Sequence, residues 1–276
     1  GLGGISGTTP PGASHGGRGG DPTTPGPSTY GLVRTPTNLG SGTTTTSYGS
    51  AAGGGAIILA VHGTTTVYGA VSANGDPATG VYRRPGGSGG SIFLTTDYLA
   101  GSGTLSANGG PSDSSSGSGG GGRIAVILTA SDSFGNVTMA AAGGDHDTAS
   151  YDGSAGTIYK EGQLNNFGRG NLLVDNKNYS TATGVVAQLP AVNYSTASEL
   201  RSVTLSITNT ARVGLTANLT MGDLFLYTNT AARLYLNGFT LTLRSQYHNT
   251  WGNANWVVYN GGQIVWSLYG TVYSVY

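Results

Sequence analysis

Three glycines, Gly75, Gly109 and Gly143, close similar stretches of this chain at a constant step of 34 residues. The isoleucines that open the apolar runs, Ile57, Ile92, Ile124 and Ile158, follow one another at steps of 35, 32 and 34. Constant spacing at one phase and slack at another is the pattern of a repeat whose connections vary in length. A fixed period of roughly 20–50 residues points to stacked units, each touching only its neighbours. One unit cannot bury its own apolar face, but a stack can. Each unit offers two short strands: 56–61 with 66–73, 91–95 with 103–107, and 123–128 with 136–141, while 157–159 opens a fourth. The glycine-rich stretches between them, such as 110–122, read as loops. Asn74 and Asn108, each followed by glycine, suit left-handed corners.

Composition agrees with strands and turns. Charged residues make up only 9 % of the 276, against about 25 % in ordinary soluble domains. Lys160, Lys177, Glu161 and Glu199 are the only lysines and glutamates, so the usual helix-surface residues are missing. Sixteen tyrosines and the repeated Ile/Val/Leu runs argue against a disordered glycine-rich chain. The formal net charge is zero, which gives no electrostatic case for nucleic acid or an anionic membrane. No apolar run has the length of a membrane span. A weakly charged, neutral surface is poorly protected against self-association, which fits assembly outside the cell. There is no cysteine, hence no disulfide and no thiolate metal site. A start without Met reads as a mature form or a fragment.

Four regions differ in texture. Residues 1–50 are a Gly/Pro-rich extended arm, read either as a long loop or linker or as an arm lying on the body or on a neighbouring subunit. Residues 51–162 are the repeats of period about 34. Residues 163–246 continue with shorter turns, with strands expected at 203–207, 213–217, 224–227, 234–236 and 239–243. Asn237-Gly238 is a strong turn signal that suits either a tight hairpin or a coil corner. Residues 247–276 form an aromatic C-terminal strand region.

The series SHGGRGG (14–20), GGGAI (53–57), SANG (72–75 and 106–109), GGSGGSI (86–92), GGGGRIAV (119–126) and GSAGTIY (153–159) resembles glycine-rich parallel β-helix segments of large secreted and cell-surface proteins, mainly bacterial. Residues 215–243, LTANLTMGDLFLYTNTAARLYLNGFTLTL, are similar in composition to the β-helical repeats of autotransporter-type adhesins. The resemblance implies an all-β parallel β-helix (β-solenoid) with glycine-rich loops, and an extracellular or cell-surface location. It carries over no catalytic residue.

The densest polar cluster is GGDHDTASYDG, where Asp145, Asp147 and Asp152 are the candidate calcium ligands and His146 extends the set toward a transition metal. The competing reading is a solvated loop whose aspartates cap turns. Arg83, Arg84, Asp76 and Asp113 share a loop region and are the residues a polysaccharide lyase or hydrolase would use, though no spacing selects them. The expectation is therefore no enzyme and no resident cofactor. The leading reading is a structural protein that polymerises head-to-tail through uncapped β-helix ends, one of them the arm. The other is a C-terminal interface of Trp251, Trp256, Trp266, Tyr269, Val272, Tyr273, Val275 and Tyr276. An unblunted strand edge is a template for intermolecular pairing. A carbohydrate-binding adhesin segment, with a surface polysaccharide as partner stacked on these aromatics, is the alternative.

Overall fold

The computed structural model describes residues 10–21, 23–45, 49–78, 84–113, 115–165, 168–192, 197–226, 231–245, 256–268 and 271–275. Among them are twenty strands and three short 3₁₀ turns, so the chain is all-β.

The central layer is a seven-stranded sheet. Four of its strands come from the repeats: β3 (Ala56–Val67), β5 (Ser91–Gly101), β7 (Arg123–Leu128) and β9 (Thr157–Glu161). They pair in parallel, and Ile57, Ile92, Ile124 and Ile158 are register partners in turn. The slack in their sequence spacing is thus absorbed outside the ladder. The second strand of each repeat does not pair with the first. Instead β4 (Ala70–Ser72), β6 (Thr104–Ser106) and β8 (Thr138–Ala140) make their own parallel sheet, Val71–Leu105–Met139, at steps of 34.

After β9 the direction reverses. Strand β10 (Asn171–Asp175) pairs antiparallel with β9, and the sheet continues in parallel through β12 (Thr204–Thr208) and β15 (Asp223–Leu226). Two further parallel ladders flank it. One stacks β11 (Ala187–Leu189), β13 (Arg212–Leu215), β16 (Arg233–Tyr235) and β18 (Val257–Val258). The other stacks β14 (Leu219–Met221), β17 (Thr240–Leu243) and β19 (Gln263–Leu268), with β20 (Thr271–Val275) folding back antiparallel on β19. Asn237 and Gly238 both have positive φ, 52° and 83°, and Asn260-Gly261 repeats the corner one layer on. The strands they join lie in different sheets, so this is a corner and not a hairpin.

Alternation of side chains places two cores on opposite faces of the central sheet. Ile92, Leu94, Ile124, Val126 and Ile158 face the core shared with β6 and β8. Tyr159, Leu172, Leu205 and Leu224 face the core shared with the flanking ladders. Each core is a set of stacked aliphatic rungs, such as Leu219–Leu241–Ile264.

The glycine runs are not loops. Residues 117–122 are buried and extended, in neither strand nor helix. Their N–H groups donate with a repeat of three. Gly117 and Gly120 donate to the carbonyls of Pro10 and Ala13, Ser118 and Gly121 to those of Tyr151 and Ser154, Gly119 and Gly122 to those of Gly110 and Ala107. Three directions recurring every third residue is the geometry of a polyproline II helix. Asp152, in a neighbouring segment, has φ −60° and ψ 141°. The segments thus form a bundle hydrogen-bonded side to side. The constant step of 34 has its cause here. A Cβ on Gly75, Gly109 or Gly143 would lie 2.1, 2.0 or 2.0 Å from the carbonyl oxygen of Gly87, Gly119 or Gly153. Asn74 and Asn108 are also not left-handed. The Asn74 side chain accepts from the Asn108 N–H at 2.8 Å, and that of Asn108 from the Ala142 N–H at 3.0 Å, linking layers 34 residues apart.

Residues 10–21 of the N-terminal arm are almost wholly buried in this bundle. Gly17 also bridges Ala187 of β11. Both glutamates of the chain hold the next part of the arm. Glu199 accepts the N–H groups of Val33 and Arg34 at 3.0 and 3.2 Å, and Glu161 pairs with the Arg34 guanidinium at 3.2 Å and accepts from the Tyr159 hydroxyl. Of its two expected resting places, this part of the arm occupies its own body.

Candidate functional site

Strand β3 is the outermost strand of the central sheet, and β4 of its own. In a parallel pair, half of a strand's N–H and C=O groups face the neighbour and half face away. No described strand pairs with the outer half on β3. Its side chains tell the same story. Leu59 and Leu94 are register partners, yet Leu94 is 1 % exposed and Leu59 is 40 %. Ile58 is 54 % exposed and Tyr68, just past the strand, 81 %. Leu59 and Tyr68 line a cavity of about 310 Å³ whose floor is Ile92, Leu94 and Leu105 of the next layer, while Ile58 faces the opposite side of the sheet. Among the described residues, nothing therefore covers the core at this end.

Local sequence accounts for this. Residues 35–75 contain no Asp, Glu, Lys or Arg, so nothing charged blunts the edge. The residues one repeat upstream of β3, 22–33, hold Pro22, Pro25 and Pro27 and so cannot supply a twelve-residue strand. A bulge between Val61 and Thr64 re-aims the strand midway. It is fastened to β5 by the Gly63 N–H donating to Asp97 at 2.7 Å and the Thr96 hydroxyl donating to the Gly63 carbonyl at 3.0 Å.

At the other end, β15 and β20 are the outer strands of their sheets. The aromatics expected to form an interface there divide. Trp266 is 8 % exposed and belongs to the core, stacked beside Leu243, so it is not a free surface group. Trp256 is partly buried against the same core. Val272, Tyr273 and Val275 lie on β20, whose register with β19 pairs Tyr273 with Trp266. Trp251, Tyr269 and Tyr276 lie outside the described residues, as does Arg83. The β3 edge was legible in the uncharged AIILAV run but was read only as repeat core.

The aspartate cluster is only partly gathered. Asp152 is buried, and its carboxylate accepts the His146 N–H at 2.8 Å. Burial first, then the charge of Asp145, raises its pKa to about 7, against the pull of that N–H. His146 packs on Tyr151 at 5.0 Å and accepts the Thr148 N–H through Nδ1 at 2.8 Å. Asp145 and Asp147 are exposed, and no group of three or more His, Asp or Glu among the described residues is placed to share a metal. In the other polar set, Asp113 accepts the backbone N–H of Arg84 at 3.1 Å.

Two basic side chains lie deep inside. Arg123, fully buried, donates to the Tyr30 carbonyl and to Thr157 Oγ1, each at 2.9 Å. His15 contacts the Gly89 carbonyl through Nδ1 at 2.8 Å and packs on Tyr30. Burial, with Arg123 beside it, lowers the His15 pKa to about 3, so the ring is neutral at physiological pH. These groups tie the arm to the repeats. No helix among the described residues is long and apolar enough to cross a membrane. No protein-family model matches the chain, and no curated protein or solved structure matches it either.

Proposed function

We propose that the chain is a parallel β-helix built as two coil runs sharing one sheet. It serves outside the cell as a structural protein, assembling end to end with copies of itself into a filament or surface layer. The observation that carries this reading is the uncovered end at β3. A twelve-residue edge, with Leu59 and Tyr68 exposed above an open core and Ile58 exposed on the opposite face, is what an incoming strand would cover. Full burial of one such side chain is worth about 1.5–3 kcal/mol. With no charge over residues 35–75, a second copy meets no like-charge repulsion there. The coil reading is supported by parallel ladders at steps of 34 in one run and of 22 for Leu219–Leu241 in the other. The extracellular setting is supported by composition, with 9 % charge and zero formal net charge.

Sedimentation and negative-stain microscopy over a concentration series test it. Ordered polymers are expected. Uniform monomers at high concentration would sink the reading. Deleting residues 270–276, which removes β20, separates assembly through that end from assembly through β3.

A further inference from the structure

A second, polar cavity of about 590 Å³ lies where the ladder of β14, β17 and β19 turns into the central sheet. Three arginines line it: Arg169 just before β10, Arg201 just before β12 and Arg244 just after β17. Ser202, Thr204 and Ser267 add hydroxyls, and Gly222, the corner between β14 and β15, completes the lining. Backbone bonds fix the rim. The Gly222 N–H donates to the Val203 carbonyl at 2.8 Å, that of Arg244 to Met221 at 3.0 Å, and that of Thr204 to Gly170 at 3.0 Å.

The chain has only 12 Lys and Arg, so three around one cavity is a concentration of charge in a neutral, sparsely charged protein. No carboxylate is among the described lining residues. The adjoining ones are committed: Asp223 accepts from the Leu224 N–H and the Ser245 hydroxyl, and Glu199 from Val33 and Arg34. The three arginines are exposed, and no described residue accepts a hydrogen bond from their guanidinium groups. Guanidinium forks match carboxylate and sulfate oxygens bidentately. The three hydroxyls suit the hydroxyls of a sugar. The described lining has no aromatic ring on which a nucleobase could stack.

We propose that this cavity binds an acidic polysaccharide through its carboxylate or sulfate groups. No residue of β3 or β20 lines the cavity, but Ser267 is the register partner of Val272 on β20 and Gly222 directly precedes β15, so titration is done on monomeric protein to keep binding and assembly apart. Calorimetric titration of the purified protein with polygalacturonate, heparin, neutral dextran, sodium sulfate and a single-stranded oligonucleotide tests it. Binding to at least one of the two acidic polysaccharides is expected, weakening as salt rises, with none to dextran. Arg169→Gln, Arg201→Gln and Arg244→Gln should each weaken binding about tenfold. The triple variant should lose it with an unchanged melting temperature, while Lys177→Gln serves as the charge-loss control. The proposal is overturned by undiminished binding in the triple variant, by an oligonucleotide binding as tightly, by binding of free sulfate alone, or by no binding at all.

Discussion

A methyl group on Gly121 would lie 2.1 Å from the carbonyl oxygen of Ala141, inside backbone that has no room to move. Gly55, immediately before β3, has nothing within 4 Å of the same position. Gly121→Ala should therefore lower the unfolding free energy by more than about 3 kcal/mol, since overpacking against backbone exceeds the usual core penalty. Gly55→Ala should stay within about 0.5 kcal/mol. Urea unfolding of both variants decides the matter, and equal stabilities would refute the bundle. Asp152 gives a second test at this scale. Its folded pKa of about 7 stands above the ordinary 3.8. Between those values the unfolded chain releases its proton first, so the residue's contribution to stability declines as pH rises from about 4 to 7. Asp152→Asn keeps the oxygen that accepts the His146 N–H and removes the charge. It should raise the melting temperature at pH 8 and leave it unchanged below pH 4.

Among the elements, β3 and β5 carry similar apolar strands in one register but occupy different places in the stack. Leu94→Ala removes a buried rung and should cost about 2–5 kcal/mol. Leu59→Lys puts a charge on the open edge, where it should leave the melting temperature of the isolated chain nearly unchanged and abolish polymers in the microscope. Polymers formed undiminished by Leu59→Lys would move assembly away from this edge. The strands themselves were largely legible. Residues 123–128 were expected as a strand and are β7 to the residue. The expected 56–61 and 66–73 are in fact one long strand with a bulge and a short one in another sheet. A bulge is decided by the partner strand, here through Asp97 and Thr96, and leaves no mark in the alternation of its own residues. The short β14 was missed, because three residues are too few to show a period.

At the scale of the molecule, the arm is structural. Pro10 and Ala13 accept N–H groups of the innermost described glycine segment, and Gly17 and Gly20 donate to Gly121 and Ser118. Deleting residues 1–21 should abolish cooperative unfolding by circular dichroism; a truncated chain that melts like its parent would show the arm to be dispensable. The ladders were set by the sequence itself. Ile57, Ile92, Ile124 and Ile158 align because equivalent apolar residues gain most when stacked, and the fixed step of Gly75, Gly109 and Gly143 records positions where no side chain fits. Three things were decided only by tertiary structure. The glycine runs became a bundle, because their order lies in hydrogen bonds between segments distant in sequence and glycine carries no apolar period to announce it. The chain reversed between β9 and β10, because parallel and antiparallel pairs share the same alternation. Arg169, Arg201 and Arg244, scattered over 76 positions, met at one corner because stacked parallel strands bring distant residues side by side.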